Sequence, residues 1–240
     1  MNDIRNATAA GVGARTYDEG LRKYMLGVYN YMAFGVGLAG IVAMFLAGNR
    51  ELILSMVSNP ITRWAPFVII LGLGFFGGKV IYSGSRIMAH GIYWAYAAAW
   101  GLLVAPMFYF LQAAGDAGII YRAFFITAAL FAGISLYGYT TKKDLSGWGG
   151  FLTMAVIGLL IAIIANAVFF QSTLFSLVTS CVVVLIFSAV TMYETQMIKR
   201  LYDDGSTTNE RSSIFGAFML FGSFATLFIH ILNILGIMRD

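Results

Sequence analysis

Charge is what this sequence has least of. Of its 240 residues only 11% are Asp, Glu, Lys or Arg, while 60% are hydrophobic and the mean hydropathy is +0.81. A soluble domain carries about 25% charged residues. So sparse a polar complement cannot clothe a surface in water, which excludes a soluble globule and makes lipid the solvent for much of the chain. A single cysteine excludes a disulfide framework, and three prolines without any block of like charge exclude a collagen-like repeat or a long disordered tail. Cys181 lies inside an apolar run and reads as a small packed hydrophobe. The two histidines, His90 and His230, fall in different apolar segments and do not make a zinc site. Ser223 and His230 stand about 10.5 Å apart along a helix axis, whereas a nucleophile and its base must approach to about 3 Å. With no phosphate-cradling loop or cofactor fingerprint either, the sequence reads as a non-enzyme without a cofactor, transient calcium apart.

What the chain does contain is seven apolar runs of about 18 residues or more, each long enough to cross a bilayer as a helix. The predicted spans are Tyr24 to Ala47, Trp64 to Tyr82, Gly91 to Leu111, Tyr121 to Tyr139, Gly149 to Phe170, Thr173 to Tyr193 and Ser213 to Ile237. Runs such as 154–165 do not alternate polar and apolar residues, so a barrel is excluded and the class is all-α and polytopic. Residues 1–23 lack the apolar core of a signal peptide and read as a retained cytoplasmic tail, leaving 24–240 as one transmembrane domain.

Orientation follows from the basic residues. The amino-terminal tail and the second, fourth and sixth loops, together with Lys79 near the end of the second span, hold 11 of the 15 lysines and arginines. The positive-inside rule then places the amino terminus in the cytoplasm and the carboxyl terminus outside, in the periplasm of a bacterial inner membrane. The net charge of +4 is divided among loops that face anionic lipid, so the bilayer is the expected partner and no nucleic acid is called for.

Polar side chains inside the spans are the informative ones, because burying an ionisable group at a bilayer centre costs about 2.5–3.5 kcal/mol on insertion scales. They are Glu194 at the end of the sixth span, Asn166 in the fifth, and Ser223, Thr226, His230 and Asn233 in the seventh. The last four recur at the spacing of one helix face, a stripe that either lines an aqueous path or hydrogen-bonds neighbouring helices. Glu194 is either an interfacial carboxylate or an inward one whose protonation alters packing or cation access. Arg86, on the same side of the membrane, is the expected partner for a gate-like ion pair with it.

Particular strings add a resemblance. Tyr17–Met25 (YDEGLRKYM), Gly133–Ser146 (GISLYGYTTKKDLS), Tyr193–Lys199 (YETQMIK) and Ile231–Gly236 (ILNILG) resemble the bacterial branch of the Bax-inhibitor family of membrane proteins, in order and over nearly the whole chain. The resemblance implies a seven-helix bundle with the last helix at its centre. It also implies a calcium-permeable, pH-sensitive leak whose sensor is two aspartates sharing a proton, with an arginine near them. On this chain those positions fall on Glu194 and Ser223, with Thr226 where an asparagine is usual and Arg86 for the arginine. A glutamate facing a serine has one titratable group where the family pattern has two, and offers few oxygens to an ion that takes 6–8, so Glu194 is at most a weak calcium contact. Two functions are therefore expected as alternatives. One is a pH-modulated cation leak using Glu194, Arg86, Ser223, Thr226, His230 and Asn233; the other is a non-conducting protein that modulates other membrane proteins in stress or quality control.

Overall fold

The computed structural model describes residues 2–202 and 209–239, with side chains described from Glu19 in the first stretch and from Glu210 in the second. Among the described residues eight α-helices follow in order: α1 (Asn2–Ala47), α2 (Arg50–Ser58), α3 (Pro60–Ser83), α4 (Arg86–Ala113), α5 (Gly118–Thr140), α6 (Gly149–Ala165), α7 (Thr173–Arg200) and α8 (Asn209–Ile237). Seven of the helical stretches are long and apolar enough to cross a membrane, and they coincide with the seven runs expected from sequence. Their ends reach further than the apolar runs do. Helices continue through polar residues at both interfaces, because lipid headgroups and water still leave backbone hydrogen bonding inside the helix favourable.

Local chemistry sets the boundaries. Asn49, Asn59, Ser85 and Ser172 each turn a side-chain oxygen onto an early amide of the helix that follows, at 3.0, 2.9, 3.3 and 3.2 Å. Pro60 fits the first turn of α3, where its missing N–H leaves no bond unmade. Helix α2, nine residues long, is too short to span and was not foreseen; Ile53 is its one fully buried residue, while Leu52 and Leu54 are exposed. The backbone of residues 2–23, expected as a separate tail, is helical and continuous with α1, while the side chains up to Asp18 lie outside the described residues.

The last helix occupies the centre. Helices α1, α3, α4, α5 and α7 all pack on α8, and 67% of the most apolar stretch of α8 is buried, against 6% for the stretch containing α6. The α6 helix packs mainly on α7 and stands off from the bundle axis. Ile214, Ala217, Leu220 and Leu227 of α8 are fully buried, joined by Tyr93 from α4 and Val28 from α1. Aromatic rings fill the α4–α8 seam: Tyr96 lies 4.4 Å from Phe218 and 5.8 Å from Phe221, centroid to centroid. Cys181, expected as a packed hydrophobe, is instead exposed on the outer face of α7, where its small apolar character suits lipid as well as protein.

Two of the strings that carry the family resemblance meet in space. Gly138 lies so close to α7 that a Cβ there would come within 2.6 Å of the Met192 carbonyl oxygen, so only glycine permits this approach of α5. The loop after α5 is then clamped to the end of α7. Gln196 accepts from the Leu145 amide at 2.8 Å and donates to the Lys143 carbonyl at 2.8 Å. Arg200 donates to Asp144 at 2.6 Å and to Gln196 at 2.9 Å, and Lys199 donates to the Tyr139 carbonyl at 3.1 Å. Deeper in, Tyr29 of α1, Ser135 of α5 and Thr195 of α7 form a hydroxyl chain with O···O distances of 2.7 and 3.0 Å.

Candidate functional site

Glu194 lies within α7, not at its end, since the helix runs on to Arg200. The apolar run stops at Tyr193 because the residues beyond it are polar, yet those residues serve the loop clamp and keep the helix going. From this depth Glu194 accepts a hydrogen bond from Ser223 of α8, Oγ to Oε2 at 2.7 Å. Ser223 is 3% exposed, so the bond is formed away from bulk water. No cation lies within ion-pair distance of Glu194 and no donor reaches its Oε1, among the described residues. The carboxylate is thus half-satisfied, in a medium where an unmatched charge is costly.

Arg86 does not reach Glu194. As the first residue of α4 it pairs with Glu210 Oε2 at 2.5 Å, with His90 Nε2 3.8 Å from the other oxygen of that carboxylate. Glu210 and Ser223 are separated by about 20 Å along α8 at 1.5 Å per residue, so Arg86 and Glu194 sit at different depths. The Arg86–Glu210 pair is exposed and belongs to the surface where α8 begins. Sequence reading missed Glu210, whose only signal was an acidic residue in the first turn of a helix.

The α8 stripe divides between two tasks. Thr226 donates to the Gly222 carbonyl of its own helix at 2.8 Å. His230 Nδ1 lies 3.0 Å from Ser180 Oγ, and the Asn233 amide nitrogen donates to both Ser176 Oγ and Ser180 Oγ at 2.9 Å. Ser176 and Ser180, two α7 hydroxyls absent from the sequence reading, are the partners that turn the stripe toward α7. Asn166 closes the α6–α7 connection, accepting from the Ser172 amide at 3.1 Å and donating to its carbonyl at 3.3 Å. Beside it Gln171 takes a left-handed conformation, φ 47°.

The same stripe lines open space. A cavity of about 640 Å³ lies between α6 on one side and α3, α4 and α8 on the other, with Glu194, Ser223, Thr226 and His230 on its wall. A second, of about 260 Å³, is lined by Asn166, Ser176, Thr179, Ser180, His230 and Asn233. Met107, Ile163, Ile229 and His230 border both, so the two stand end to end along the polar face of α8. On the other side of Glu194 the packing is tight: Ile198 and Ile214 are fully buried, and a Cβ at Gly216 would meet Ile198 at 2.9 Å. One carboxylate and one hydroxyl do not make a resident calcium site, which takes 6–8 oxygens, and no cluster of three or more His, Cys, Asp or Glu occurs among the described residues.

Comparison with known proteins agrees with this architecture. The family model described as inhibitor of apoptosis-promoting Bax1 matches residues 21–240. The chain is 33% identical to RP147 of Rickettsia prowazekii over 94% of both chains. It is 34% identical to the inner membrane protein YbhL of Escherichia coli K12, over 90% of this chain and 92% of the relative. A membrane protein of Streptococcus pyogenes, SpyM3_0260, is 31% identical over 91% of this chain and 94% of its own. With a family match over nearly its whole length and a central last helix, this chain belongs to the Bax-inhibitor family of membrane proteins.

Proposed function

We propose that this protein is a passive cation pathway, with calcium as cargo, in a bacterial inner membrane, its amino terminus in the cytoplasm and its carboxyl terminus in the periplasm. The observation that carries this reading is the pair of end-to-end cavities along the polar face of α8, terminating at the half-satisfied carboxylate of Glu194. Ionisable groups are kept at this depth when they face a cavity or a conducting path, and here the walls offer hydroxyl, amide and imidazole groups to a passing ion. Tight packing around Ile198, Ile214 and Gly216 closes the side toward the loop clamp, so the conformation corresponds to a shut pathway with one open vestibule. Glu194 is the charged contact, Ser223 the donor that holds it, and Thr226, His230 and Asn233 line the route. Arg86 enters only through the surface pair with Glu210 that fixes the start of α8.

Calcium flux into liposomes reconstituted with the purified protein tests this reading. Flux above that of empty liposomes, lowered several-fold by Glu194→Gln, is expected; none at any pH between about 5 and 8 removes the reading. In that event the absence, among the described residues, of a second carboxylate beside Glu194 favours the alternative function, modulation of other membrane proteins. A stoichiometric partner crosslinked in intact cells would then be the positive result.

A further inference from the structure

The larger cavity has a shape and chemistry that ion passage does not require. Its walls are aromatic and aliphatic almost throughout, including Phe67, Tyr96, Trp100 and Phe218, and neither lysine nor arginine lines it among the described residues. Among the described residues Glu194 is the one acidic side chain on that wall, with Oε1 free of any described donor. Phe75 of α3 and Ile157 of α6 line the cavity while remaining 68% and 45% exposed, so its mouth opens sideways toward lipid, between those two helices. At about 640 Å³ it falls within the range of sites that hold small organic ligands, about 300–1,000 Å³.

We propose that this cavity is a binding site for lipophilic organic cations, entered laterally from the bilayer between α3 and α6, with Glu194 as the counter-charge. Charge complementarity decides the occupant. A neutral acyl chain would satisfy the walls but leave the carboxylate unmatched, and an anion would be repelled by it. A hydrophobic cation satisfies both, and the aromatic rings on the wall, Tyr96 and Trp100 among them, are surface that such cations favour over water. A hydrated metal ion gains nothing from the aromatic walls. The site shares Glu194 with the pathway proposed above but does not depend on conduction, because occupancy is read as binding without any gradient.

Equilibrium binding of radiolabelled tetraphenylphosphonium to the full-length protein in nanodiscs, with empty nanodiscs subtracted, tests the proposal. Saturable binding of one cation per chain is expected, with affinity reduced about ten-fold or more by Glu194→Gln. Gly74→Trp should also weaken it: Gly74 lines the cavity, and a side chain added there meets open space, so the indole takes up part of the space at the cavity wall with Glu194 left intact. Radiolabelled tetraphenylborate, of the same shape and opposite charge and assayed in separate samples because the two ions pair with one another, should not bind saturably. Uptake no greater than that of empty nanodiscs, equal affinity in Glu194→Gln, or saturable binding of tetraphenylborate with equal affinity each overturns the proposal. Should Glu194→Gln fail to fold, Gly74→Trp and the borate comparison decide alone. Binding without calcium flux would leave this site standing while removing the pathway, and flux without binding would do the reverse.

Discussion

Helices α7 and α8 are joined at two polar points, and the two are built on opposite plans. At one, Ser176, Ser180, His230 and Asn233 share three hydrogen bonds of 2.9–3.0 Å among four neutral-capable groups, with each hydroxyl serving a partner on the facing helix. At the other, one carboxylate takes one bond from Ser223 and faces an open cavity with its remaining oxygen. The same pair of helices thus carries a closed network and an unfinished one. A satisfied network holds helices in register; a half-satisfied acid leaves them a reason to rearrange when charge or a ligand arrives.

Three experiments break or sharpen that contrast. The largest effect is expected from completing the unfinished point with a second carboxylate. Ser223→Asp places two acids where they cannot both ionise, so calcium flux in liposomes should become steeply pH-dependent, rising as the shared proton is lost at higher pH. A flat pH profile would show that positions 194 and 223 do not act together. Breaking the satisfied point comes next. Asn233→Leu removes two hydrogen bonds, at about 0.6 kcal/mol each in membrane helices, so the stability measured by unfolding in mixed micelles should fall by about 1 kcal/mol. An unchanged midpoint would mean that the network adds nothing to the α7–α8 seam. The smallest effect contrasts the buried acid with an exposed one. Asp144 is held down to about 2 by the Ser146 backbone amide first and Arg200 next, below the ordinary value near 3.9. A depressed carboxylate stabilises the folded state above its unfolded value and loses that contribution as pH falls through its folded one. Protection against hydrogen exchange in the 140–146 loop, taken relative to the intrinsic rate at each pH, should therefore fall between about pH 4 and 2, and Asp144→Asn should remove the transition.

The spans were legible because a bilayer imposes length and composition on every crossing, and no long-range contact is needed to see them. Glu194 could be singled out as an acid among apolar residues, but its depth could not: the apolar run ends at Tyr193, while the loop clamp through Gln196 and Arg200 keeps the helix going. The link between Glu194 and Ser223 was reachable only through the family strings, since 29 positions separate them. Arg86 was matched to the wrong acid because sequence gives the side of the membrane and not depth within it; Glu210 answers it at the surface. Ser176 and Ser180 carried no signal at all, because a serine in an apolar helix ordinarily bonds its own backbone, as Ser188 does to Val184. Helix α2 was too short to register against a span-length window.

The outlying position of α6 has a mechanical consequence. It is anchored mainly through α7, and α7 is the helix that carries the acid. A tilt of α7 that shifts Glu194 also carries away one wall of the space in front of it, so the charge and the width of its antechamber change in a single motion. On the pathway proposed above, admission and electrostatics are therefore geared to one another.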